Sequence, residues 1–180
     1  VSCEACHGPG RLHQQLAEKG ELGTRADGGF AMSLAERGHW LFPEGEAIAR
    51  RQPPLRTDAH INSCARCHSR RGSLGDNYHF GRPLLDTHRL SLLEAPLYHA
   101  DGQIDDEVYV HGSFIQSKMQ QAGVVCSNCH EPHSLALRAP ENGVCAQCHK
   151  PDVYDNTDHH HHRAGSDGAL CANCHMPEKT

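Results

Sequence analysis

The sequence is short of the residues that build an ordinary protein core. Of its 180 residues, 16 Leu, 4 Ile, 7 Val and 4 Phe together make 31, about 17%, below the roughly 20% at which a chain begins to read as unfolded. Aromatics are 5% and mean hydropathy is −0.63, so the side chains alone bury too little apolar surface to offset conformational entropy. No apolar run approaches the length of a membrane-spanning helix, which excludes one. Long basic runs are also missing. Lys and Arg total 17 against 22 acidic residues and the pI is about 6.4, so nucleic acid and anionic membrane are excluded as main partners. The net charge of −5 is too small for self-repulsion to hold the chain open. The sequence starts at Val1 with neither Met nor a signal-peptide pattern, so a mature chain or a fragment is expected.

Cysteine and histidine are plentiful instead, at 10 and 17. In order, the cysteines read Cys3-Glu4-Ala5-Cys6-His7, Cys64-Ala65-Arg66-Cys67-His68, Cys126-Ser127-Asn128-Cys129-His130, Cys145-Ala146-Gln147-Cys148-His149 and Cys171-Ala172-Asn173-Cys174-His175. Every cysteine falls in a C-x-x-C-H unit, the attachment motif of c-type haem, in which two thiols form thioethers to the macrocycle and the next residue ligates the iron. Two intervening residues curl the chain into about one turn, which puts both sulfurs at one macrocycle edge and the imidazole beneath the metal. A disulfide framework and zinc sites are the competing readings. Both fit poorly, because four-cysteine zinc sites use CxxC pairs two at a time, five is odd, and neither requires a His after each pair. Given the histidine content, five such placements by chance have a probability of about 10^-5.

Five covalently attached haem c groups, one per 36 residues, account for the missing core. Each brings two large apolar faces around which short segments can pack. The expected fold is mainly irregular with short α-helices, a haem-stacked core and little or no β. Residues 1–180 are read as a single pentahaem c-type cytochrome domain. Helical patterns lie near 11–19, 31–40 and 44–51, separated by Gly8-Pro9-Gly10, Asp27-Gly28-Gly29 and Pro53-Pro54, with a further helix near 113–122. Residues 69–112 read mainly as loop, with a short amphipathic helical stretch at Arg89-Leu90-Ser91-Leu92-Leu93-Glu94-Ala95 ended by Pro96. The strand candidate is Val108-Tyr109-Val110.

With His7, His68, His130, His149 and His175 as proximal ligands, twelve histidines remain for five sixth positions. Methionine is scarce, at 3, and Met176 directly follows the last motif, where it cannot reach the opposite face of its own haem. Bis-His coordination is therefore expected, with lower potentials than His/Met ligation. His133 lies three residues after His130 and His13 six after His7, spacings too short to skirt a macrocycle, so each would serve a different haem and draw two haems together. His88 and His99 flank the 89–95 stretch and are ligand candidates. His60, His79 and His111 are weaker ones, and His39 beside Trp40 is expected to pack at a helix end. One or two of His159 to His162 are expected to ligate iron.

Three strings, VSCEACHGPGRLH, GRPLLDTHRLSLLEAPLYHADGQIDDEVYVHGSFIQSKMQQAGVVCSNCHEPHS and HHHHRAGSDGALCANCHMPEKT, resemble the multihaem cytochrome c family, in particular the branch whose haem region is linked to tetratricopeptide repeats. The resemblance implies a piece of a longer chain and sixth ligands at His13, His88, His99, His133, His159 and His162. Some of these would reach haems outside the sequence. It implies attachment outside the cytoplasmic membrane, hence a periplasmic or cell-surface location. The leading reading is electron transfer between a redox donor protein and an acceptor protein. The alternative is an oxidoreductase acting on a small nitrogen or sulfur compound at a haem with an open position, with Arg66, Arg70, Arg71 and Lys118 as candidate substrate contacts. A third reading, compatible with the first, is a homo-oligomer or filament with a continuous haem chain.

Overall fold

The computed structural model describes residues 2–35 and 38–177. Its elements are short and separated by irregular chain, with little β structure. In chain order they are α1 (Glu4–His7), α2 (Arg11–Glu18), β1 (His39–Leu41), β2 (Arg50–Gln52), α3 (Ala59–His68), β3 (Arg71–Ser73), β4 (His88–Leu90), α4 (His111–Ile115), α5 (Lys118–Gln121), α6 (Cys126–Cys129), β5 (His130–Glu131), β6 (Ala136–Leu137), α7 (Gly143–Ala146), α8 (Pro151–Tyr154), α9 (Thr157–His160) and α10 (Cys171–His175). The strands form three separate antiparallel ribbons, β1 with β2, β3 with β4 and β5 with β6. Among the described residues no helix is long and apolar enough to cross a membrane.

The chain divides into two compact units, neither continuous in sequence: residues 1–37 with 56–115, and 38–55 with 116–180. The first holds the motifs at Cys3 and Cys64, and the second holds the other three. In the first unit α2 turns its apolar side inward at Leu16, and its end is closed by Glu21 N–H on Leu16 O at 2.8 Å. The Asp27-Gly28-Gly29 turn lies directly on this helix. A Cβ at Gly29 (φ +83°) would come within 2.8 Å of Leu16 Cδ1 and 2.9 Å of the His13 amide nitrogen, so only glycine permits the approach. Asp27 Oδ1 accepts from Gly29 N–H at 2.8 Å while Oδ2 pairs with Arg25 at 2.6 Å, which locks the turn.

Among the described residues the only large side chains fully buried are Leu84, Val108 and Val125. By contrast, Leu92 is 69% and Leu135 87% exposed. The polypeptide therefore has the thin core its composition predicts.

Several local expectations need correction. The α2 pattern forms, but 31–35 and 38–40 carry no helix, and residues 36 and 37 of that pattern lie outside the described set. His39 consequently sits in a strand rather than at a helix end. The 44–51 pattern is a turn leading into β2, because its backbone groups are taken by long-range partners: Ala49 N–H donates to Cys148 O at 2.8 Å, and Lys150 N–H to Ala47 O at 3.0 Å. The 89–95 stretch is not helical, since His88–Leu90 pair with Arg71–Ser73. The 113–122 pattern splits into α4 and α5, where the Ser117 side chain caps α5 by accepting from Gln120 N–H at 3.1 Å. Val108-Tyr109-Val110 is not a strand, because Tyr109 takes φ +62° and Val108 is buried.

Candidate functional site

All five C-x-x-C-H units adopt one helical turn. His7, His130 and His149 each donate the backbone N–H to the carbonyl of the first motif cysteine, and His68 and His175 end α3 and α10. This bond closes the turn that brings both sulfurs and the imidazole to one side. Among the described residues, which include all ten cysteines, no disulfide forms.

Polar side chains at and around the motifs stitch them together within each unit. In the first, Arg66, inside the second motif, donates to Ala5 O of the first at 2.9 Å, and Ser63 Oγ donates to Cys6 O at 3.1 Å. The same guanidinium lies over Tyr78 at 4.4 Å and Phe80 at 4.7 Å. In the second, Gln147 of the fourth motif donates to Asn128 O of the third at 3.1 Å. Asn142, just before α7, accepts from Cys171 N–H at 2.8 Å and donates to Ala169 O at 2.8 Å and Asp155 Oδ1 at 2.9 Å. Asn142 thus caps the helix of the fifth motif while it leads into the fourth. These ties were not anticipated from the sequence. For Arg66 and Gln147 the signal was present in the second variable position of the motif, a side chain able to bond a backbone group.

Three of the attachment sites converge. Cys145 and Cys171 thiols hydrogen-bond, and burial first, then Cys171, pushes the Cys145 thiol up to about 11. Cys148 is pushed up to about 11 by burial, then by Cys129 and Cys145, and Cys129 is raised by burial and then by Cys126. Cys129, Cys145 and Cys148 are therefore thiols at neutral pH, the form that adds across a vinyl group. Burial, and then His175, lowers His149 below the usual imidazole range, so it stays neutral, as a ligand must.

The sixth-ligand candidates fall into different settings. His13 Nδ1–H donates to Gly28 O at 2.7 Å, which makes Nε2 the nitrogen with the lone pair, an arrangement typical of metal-ligating histidine. Its ring stacks on Phe30 at 4.1 Å, and Phe30 also meets His7 at 4.8 Å. His88 is buried, and burial, then Arg71 and Arg66, hold it below its usual range. It shares a cavity of about 450 Å3 with buried His111, walled by Leu74, Leu85, Leu90, Leu92, Tyr98 and Ile115. His111 thus has a setting as apolar as that of His88, which its place in the sequence did not suggest. His99 Nε2 pairs with Asp105 at 3.2 Å. His133 sits on the tight β5–β6 hairpin with Nδ1 on Glu131 Oε1 at 3.0 Å, and Glu131 also holds Arg138 at 2.9 Å. His159 and His175 face one another with ring centres 6.1 Å apart. His162 packs on Gly168, where a Cβ would lie 2.5 Å from the imidazole.

The residues fit haem c: paired thiols with an imidazole one turn on, further histidines of which His88 and His149 are held neutral by burial, and apolar side chains left uncovered by the polypeptide. Comparison with known families agrees. Residues 118–154, which contain the third and fourth motifs, match the family described as Doubled CXXCH motif. This segment is similar to paired CXXCH domains, which are typical of multihaem c-type cytochromes. No curated protein matches the chain, and no solved structure does.

Proposed function

We propose that this is an electron-transfer protein carrying five covalently attached haems, mostly with two histidine ligands. The observation that supports it best is the convergence of attachment sites. Cys129 and Cys171 lie close enough to Cys145, and Cys129 to Cys148, to raise those two thiols, and Arg66 and Ser63 tie the motifs at Cys3 and Cys64. Attachment sites this close hold macrocycles near contact, the geometry in which single electrons pass between irons with no bond made or broken on a substrate. Haem c supplies the reversible iron couple. The chain's own residues anchor it, ligate it and fix the spacing.

Cys3, Cys6, Cys64, Cys67, Cys126, Cys129, Cys145, Cys148, Cys171 and Cys174 form the thioethers on this reading, with His7, His68, His130, His149 and His175 beneath the irons. Arg66 and Arg71, candidate substrate contacts on the enzymatic reading, are spent on structure: Arg66 on Ala5 O and two rings, and Arg71 on Arg66 O. The partners are a donor and an acceptor redox protein, and a homo-oligomer that continues the haem line is compatible. The location is periplasmic or at the cell surface, and the link to a repeat-containing branch rests on the strings quoted above.

The test is carbon monoxide binding to the dithionite-reduced holoprotein, scored against a pyridine haemochrome count. Five haems and no CO-bound fraction are expected. Binding near one haem in five in the intact protein would replace this reading with a catalytic one.

A further inference from the structure

Two rings in the second unit stand at a telling separation. The imidazoles of His159 and His175 have centres 6.1 Å apart and planes within 10° of parallel. Rings in direct contact lie closer, as His13 and Phe30 do at 4.1 Å. Two imidazoles on opposite sides of one metal are set apart by two metal–nitrogen bonds of about 2 Å and by roughly 1 Å from each nitrogen to its ring centre, so their centres lie ~6 Å apart. The observed pair has that spacing.

The two rings hang on elements that have their own caps and are joined through Asn142, which bonds both Asp155 and Cys171. Asn156 caps α9, its Oδ1 accepting from Asp158 N–H at 3.0 Å and His159 N–H at 3.1 Å while its Nδ2 donates to Asp152 O at 2.9 Å in α8. On the other side, Asn142 caps α10 at Cys171, and Asn173 Nδ2 donates to Asp167 O at 2.7 Å. Tyr154, at the end of α8, meets His159 edge-on at 5.5 Å and 88°, and meets His149 edge-on at 5.4 Å and 88°. One phenol therefore touches the proximal ligand of the fourth motif and the ring opposite the proximal ligand of the fifth.

We propose that His159 is the sixth ligand of the iron attached at Cys171 and Cys174, opposite His175, and that Tyr154 is the positioning residue that sets the plane of its ring. The inference rests on the haem reading above and adds the pairing, which no spacing argument supplies. It also separates His159 from His162, which packs on Gly168. Through Tyr154 the haem groups of the fourth and fifth motifs are linked by ligand-to-ring contacts.

The experiment uses the matured holoprotein. Mass spectrometry counts covalent haem first, and a chain without haem would overturn the haem reading itself and this pairing with it. With five haems attached, His159→Gly is expected to expose about one fifth of the haem to carbon monoxide beyond the parent protein, with added imidazole reversing it, and His162→Gly is expected to expose none. A His159→Gly protein that binds no additional carbon monoxide, or a His162→Gly protein that does, would overturn the pairing. His159→Met guards against a glycine variant that fails to mature. It is expected to give a methionine–iron charge-transfer band in the far red in about one fifth of the ferric haem, and to move one redox step of five to higher potential. Absence of both in a matured protein would overturn the assignment. Nearly parallel imidazoles give an ordinary rhombic low-spin resonance, whereas crossed ones give a signal with one large g value. Tyr154→Ala is expected to shift one resonance toward the second form with haem count and coordination unchanged, while Tyr154→Phe leaves it in place. An unmoved spectrum in Tyr154→Ala would remove the positioning role.

Discussion

Asn142 shows how much one amide does in a chain with so little core. It satisfies the Cys171 N–H, one of the orphan donors at the start of α10, and binds two further acceptors. Asn142→Ala should cost about 1–2 kcal/mol of stability, read as a lowered melting temperature of the holoprotein with the haem count unchanged. Asp27 acts at the same scale on His13. Hydrogen bonding from Arg25 first, then from Gly29 N–H, lowers its carboxyl to about 2. A carboxylate depressed in the folded state stabilises fully above its unfolded value, about 3.9, and that contribution is lost as pH falls through the folded value. Asp27→Asn should therefore loosen the turn over His13 above pH ~4 and differ progressively less from the parent as pH drops to about 2, as hydrogen exchange at the Gly29 amide would report.

At the scale of elements, each motif turn is local and the contacts that group the turns are not. The C-x-x-C-H spacing predicts a turn at every site and the structure has one at each. The 44–51 segment behaves otherwise. It has residues compatible with a helix, but Ile48 bridges to His149 across some 100 residues, and such a pairing leaves no periodic trace in sequence. Arg66 is the comparable tie in the first unit. Its planar guanidinium bonds Ala5 O and covers two rings at once, which an ammonium cannot reproduce. Arg66→Lys should accordingly destabilise that unit almost as much as Arg66→Ala, by about 1–2 kcal/mol, whereas a role through charge alone would let Lys restore the parent melting temperature.

For the molecule as a whole, the thin core has a direct consequence. The three large side chains fully buried among the described residues cannot by themselves offset the ordering of a chain this long. A chain with the ten motif cysteines changed to Ala should thus be largely unfolded, as metal-dependent small domains are without their metal. Far-ultraviolet circular dichroism checks this, and native-like helix in that variant would show that the polypeptide folds without its cofactor.

The sequence by itself determined the motifs: ten cysteines in five C-x-x-C-H units, a histidine directly after each pair, a surplus of further histidines, and a composition too poor in apolar residues for an ordinary core. Those features are carried by short spacings, and a spacing of two residues constrains geometry wherever it occurs. The tertiary structure decided which motifs sit together, that Asn142, Gln147 and Arg66 bind them, that His111 shares an apolar cavity with His88, and that the rings of His159 and His175 oppose each other. These depend on contacts between residues far apart in the chain, and in irregular chain with short helices no hydrophobic period records them.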